Sequence, residues 1–73
     1  MDAQLRQQVD AVIDAYNLEF LHWNKVPTPA LESRHRLGVF IQHNLEWIIR
    51  SEIKILWRKI AQMRQARSSA TLH

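Results

Sequence analysis

Apolar residues recur at three- and four-residue steps along most of the chain. Leu5, Val9, Val12, Ile13, Tyr16, Phe20 and Trp23 fall in one arc of about 100° when successive residues are turned by roughly 100°. Gln4, Gln7, Asp10, Asp14, Asn17 and His22 lie outside that arc. The pattern predicts an amphipathic helix over about 3–23, with Asp2 as its N-cap. Leu18 and Leu21 fall off the arc, where a second partner would meet them.

Asn24-Lys25-Val26-Pro27-Thr28-Pro29 is the one breaker segment. Pro27 disfavours helix at Val26, and Thr28 followed by Pro29 reads as N-cap and first helical residue. A turn over 24–28 this short predicts antiparallel neighbours. A second helix is then expected from about 29 to 67, with a frayed polar tail over 68–73. Its apolar arc is Leu31, Leu37, Ile41, Leu45, Ile48, Ile49, Ile53, Leu56, Ile60 and Met63. Gly38 is the only glycine, and it falls where Tyr16 or Phe20 would arrive, so close helix approach is expected there.

The two predicted helices differ in length, about 60 Å against about 30 Å at 1.5 Å per residue. Helix 1 therefore runs out near Glu52, and Ile53–Arg64 overhangs. Exposing Ile53, Leu56, Ile60 and Met63 would forgo roughly 1.5–3 kcal/mol each. That loss rivals the stability of a small domain, so a cover is required. The expectation is an all-α fold: an unequal antiparallel hairpin, dimerised into a helical bundle. Ile53, Leu56, Ile60 and Met63 form the expected dimer interface. Glu52 lies in the same arc, and a cross-chain pair with Lys59 or Arg34 is one way to accommodate it.

Composition adds constraints. With 73 residues and no cysteine, the chain forms one domain of thin core without disulfides. Neither a signal peptide nor a membrane span is apparent, and a cytoplasmic protein is expected. Charge is divided unevenly. Residues 1–24 hold Asp2, Asp10, Asp14 and Glu19 against Arg6, a net of −3, whereas residues 25–73 carry a net of +6. An acidic first helix facing a basic second one helps to set register. The basic excess favours an acidic partner.

Phe40 and Trp47, seven residues apart, form a stripe off the main arc, and Trp57 flanks the arc on the other side. Arg36, His43, Arg50, Lys54 and Arg58 lie beside them. Large aromatics on a solvent face are enriched at interfaces. Phe40, Trp47, Arg50, Lys54, Trp57, Arg58 and Ile60 are therefore the expected partner-binding residues. Neither metal nor cofactor is expected. His35 and His43 stand eight residues apart, whereas a helical zinc pair needs three or four. No Cys, phosphate loop or Ser–His pairing points to catalysis.

Leu5-Arg6-Gln7-Gln8-Val9-Asp10-Ala11-Val12-Ile13-Asp14 resembles the opening of helical chorismate mutases. Helix 1 has no second cation after Arg6 to hold a dicarboxylate, and the chain is short for that fold, so no family is assigned. The expected function is non-catalytic: a small regulatory or adaptor protein that binds another protein through its long basic helix. The alternative is a nucleic-acid-binding dimer using Arg36, Arg50, Lys54 and Arg58.

Overall fold

A computed structural model describes residues 2–26 and 28–71. They form three helices: α1 Ala3–Trp23, α2 Thr28–His43 and α3 Arg50–Thr71. The all-α class expected from the pattern is observed. The unequal hairpin is not, because the expected helix over 29–67 divides at residues 44–49. Pro27 lies outside the described residues, as does the capping side chain of Thr28. Residues 68–71, expected to fray, continue α3; Leu72 and His73 lie outside the described residues.

α1 starts as its sequence requires. The Asp2 carboxylate accepts the Leu5 N–H at 2.7 Å, satisfying one of the free amides of the first turn. Asn24 ends the helix with its N–H on the Phe20 carbonyl. The chain then reverses, and Val26 donates to Trp23 O at 3.0 Å.

The division of the second helix has a local and a non-local cause. Locally, Asn44 caps α2 by folding its side-chain amide onto the Phe40 carbonyl at 2.8 Å. Three residues into α3, the Glu52 carboxylate reaches back to the Ile49 N–H at 3.2 Å, half of a capping box. Glu52, a charge within the apolar arc, is thus accommodated as a helix cap within its own chain.

The non-local cause is burial. α3 folds back beside α1 and places Ile53, Leu56 and Ile60 in one cluster with Val9, Val12, Leu37, Ile41 and Ile48. At roughly 1.5–3 kcal/mol per buried side chain, this outweighs a few helical hydrogen bonds of about 1 kcal/mol each. Several of those bonds are recovered in the turn, where Asn44 N, Trp47 N and Ile49 N all find acceptors.

α1 and α3 run parallel. Asp2 meets Arg50 where both helices begin (3.9 Å), and Glu19 meets Arg64 and Arg67 where both end. α2 runs antiparallel to α1, with Tyr16 against Arg34 and Gly38. The closest packing is of α1 with α3 and of α1 with α2; α2 and α3 approach closely at few points and meet mainly through side chains. The molecule measures 43 × 18 × 17 Å, three helices side by side.

Candidate binding surfaces

The weak packing of α2 on α3 leaves a groove of about 550 Å³ between them. Trp23, Leu37, Phe40, Met63 and Ala66 supply its apolar surface, and Ser33, Arg36, Lys59 and Gln62 its polar one. Among the described residues, no carboxylate lines it. The Lys59 ammonium stands 5.6 Å from the centroid of the Phe40 ring, a cation–π contact across the groove. Trp23 is buried, and its indole N–H has no hydrogen-bond partner among the described residues. An unpaired buried donor is costly, and this one belongs to a residue of the groove wall.

A second groove of about 400 Å³ lies between α1 and α2, lined among others by Ile13, Tyr16, Phe20, Arg34, His35 and Leu45. Arg34 is buried there without a carboxylate. Its guanidinium carbon lies 3.7 Å over the Phe20 ring, and its Nη1 donates to the Tyr16 hydroxyl at 3.3 Å. The Tyr16 hydroxyl in turn donates to the Arg34 carbonyl at 2.8 Å. Arg34 Nε has no hydrogen-bond partner among the described residues. The apolar-arc charges Arg34 and Lys59 are therefore accommodated by aromatic faces of their own chain, not by Glu52.

The expected partner-binding residues do not form one surface. Phe40 lies in the α2–α3 groove. Trp47 stands 77% exposed in the turn, beyond the end of α2, so the two no longer share a helical stripe. Arg50, Lys54, Trp57 and Arg58 do stay together, at three- and four-residue steps on α3, and all are exposed. Arg50 pairs with Asp2; Lys54 and Arg58 have no ion pair among the described residues. Ile60 has no exposed surface at all, being packed in the core, and cannot anchor a partner.

The expected dimer-interface residues are likewise reassigned. Ile53, Leu56 and Ile60 are buried by α1 of the same chain, and Met63 is half-buried against that core at the edge of the groove. Folding back removes the overhang that required a second copy to cover it. The charge asymmetry is also satisfied internally. Glu19 is 2% exposed and receives Arg67 Nε at 2.6 Å and Arg64 Nε at 3.2 Å. Both arginines thus have a specific partner beyond the general attraction of cations to a helix C-terminus.

Among the described residues, no three His, Cys, Asp or Glu side chains gather as metal ligands. No helix there is long and apolar enough to cross a membrane. Compared with known protein families, curated proteins and solved structures, the chain matches none.

Proposed function

We propose that this chain is a small non-catalytic adaptor or regulatory protein that receives an acidic amphipathic helix of another protein in the groove between α2 and α3. The observation that carries this reading is the groove itself: apolar along Trp23, Leu37, Phe40 and Met63, flanked by the cations Arg36 and Lys59, and without a carboxylate among the described residues. A helix laid between two antiparallel helices completes a four-helix arrangement, and its apolar stripe covers the Phe40 ring. Acidic residues beside that stripe meet Arg36 and Lys59, which speeds encounter and fixes register. Of the expected anchors, Phe40 is kept, Ile60 is not because it is buried in the core, and Trp47 and Trp57 lie outside the groove. The binding reading holds for a monomer or for a homodimer that leaves the α2–α3 groove open. A cytoplasmic setting suits a chain without cysteine.

A second reading, nucleic-acid binding, is supported by the exposed face of Lys54, Trp57 and Arg58, whose two cations make no ion pair among the described residues.

One titration separates the two. The probe is a helical peptide of about 18 residues with leucines at i, i+3, i+4 and i+7 and flanking glutamates. Binding is expected, with a loss of about tenfold or more on Phe40→Ala and a further loss on Lys59→Glu. A version with flanking lysines is expected to bind poorly. Equal binding of both peptides, or of neither, overturns the groove reading. A short DNA duplex that binds with an affinity falling steeply with salt, and is lost on Lys54→Ala with Arg58→Ala, supports the second reading.

A further inference from the structure

We infer that a second copy of this chain is a built-in partner, through exchange of α3. In the exchanged form, residues 28–71 run as one straight helix of about 66 Å, and α3 of each copy packs on α1 of the other.

The inference starts from a conflict between sequence and structure. The apolar repeat passes through the turn without interruption, from Ile41 and Leu45 to Ile48, Ile49 and Ile53, and the turn contains neither Gly nor Pro. Nothing in its composition forbids helix. Within one chain the helix breaks because that is the only way for α3 to reach α1. A second copy removes the conflict: helical bonds across 44–49 form, and Ile53, Leu56 and Ile60 are still buried.

Three features of the fold make the exchange inexpensive. α2 and α3 approach closely at few points, and the side chains they share in the core, Leu37 and Ile41 with Ile53, Leu56 and Ile60, meet again between copies. The contacts that define the fold, the apolar cluster that joins α3 to α1 and α2 and the Glu19 pairs with Arg64 and Arg67, are re-formed between copies. The turn itself is held by a few bonds, chiefly the Asn44 and Glu52 side-chain caps. Short connections of this kind favour swapping. The exchange also accounts for an otherwise unexplained exposure. Trp47 and Ile49, 77% and 56% exposed, sit at the turn, where two straight helices would cross and cover them.

The α2–α3 groove is rebuilt between copies, so peptide binding and exchange are read separately. The exchange is tested by light scattering after size exclusion over a range of concentrations. Wild type is expected to show a concentration-dependent species of twice the 8.7 kDa chain mass. Asn44→Ala, which removes one cap and favours helix, is expected to raise the dimer constant about fivefold or more. Glu46→Pro is expected to abolish the dimer, since the Glu46 N–H donates to nothing in the turn but would be needed in a straight helix.

The dimer is then identified by the distance between labels on cysteines introduced at Ser33 and Gln62. These positions face each other across the groove within one bundle, and stand about 44 Å apart on a straight helix. Doubly labelled chain is co-refolded with excess unlabelled chain, so that only the distance within a chain is read. A separation near 44 Å in the dimer fraction supports exchange. A mass of 8.7 kDa at every concentration for wild type and Asn44→Ala overturns it. So does a dimer whose labels stay as close as in the monomer.

Discussion

The hydroxyl of Tyr16 lies in the space that a side chain at Gly38 would occupy. An added Cβ would also stand 2.6 Å from Tyr16 Cζ. The ring cannot swing away freely, because its hydroxyl donates to the Arg34 carbonyl and accepts from the Arg34 guanidinium. Close approach of α1 and α2 thus depends on the absence of one methyl group.

Gly38→Ala is therefore expected to destabilise the protein by about 1–3 kcal/mol, despite the roughly 1 kcal/mol that Ala gains as a helix former. In a Tyr16→Phe background the penalty should shrink, since the nearest clashing atom is gone. Thermal unfolding of the four variants measures this, at several degrees per kcal/mol for a domain of this size. An unchanged penalty in the Phe background would place the clash elsewhere.

Glu19 joins the far ends of α1 and α3 through two arginines, and its burial makes the pair unequal in its responses. Arg67→Met leaves Arg64 to hold the carboxylate and is expected to cost about 1–2 kcal/mol. Removing both arginines strands a buried carboxylate and is expected to cost about 3–5 kcal/mol, more than the two single losses together. Denaturant unfolding of the single and double variants is the measurement. Additive losses would mean that Glu19 reaches water once either arginine is gone.

Ile60 and Trp47 make a direct contrast between core and surface. Ile60→Ala removes a fully buried side chain and is expected to cost about 2–5 kcal/mol. Trp47→Ala should change monomer stability by no more than about 0.5 kcal/mol, because most of the ring already faces water. Chemical denaturation at low protein concentration reads both. The reverse ranking would return Ile60 to the surface and Trp47 to the core.

Glu52→Gln tests the cap on α3. A neutral amide still reaches the Ile49 N–H but loses the charge that complements the helix N-terminus, so a cost of about 0.3–1 kcal/mol is expected. Glu52→Ala loses the hydrogen bond as well and should cost more. Hydrogen exchange at Ile49 and Ile53 reports the change locally. Equal protection in all three proteins would mean that the carboxylate does not cap the helix.

Part of the site could be read from the chain alone. Phe40 and Arg36 stand out as an aromatic and a cation on a helical face, and both line the groove. Trp23, Leu37 and Met63 were legible only as core or interface residues, because their apolar periodicity is the same whether they line a groove or fill a core. Lys59 was legible as a misplaced charge, but not its partner. Phe40 lies on a different helix, and no spacing rule connects residues across a turn that the sequence does not mark.

What the sequence determined was local. The 3.6-residue period settles which residues share a helical face, Asp2 begins the first helix, and the lone glycine marks where α1 and α2 come closest. What the tertiary structure decided was where the second helix stops. That stop depends on the burial of Ile53, Leu56 and Ile60 against Val9 and Val12, more than forty positions away. The ends of α1 and α3 are fixed by Glu19 and Arg67, 48 residues apart. A helix breaks here, at a segment without Gly or Pro, because burying three apolar side chains is worth more than a few helical hydrogen bonds, and only the folded chain brings those two terms into competition.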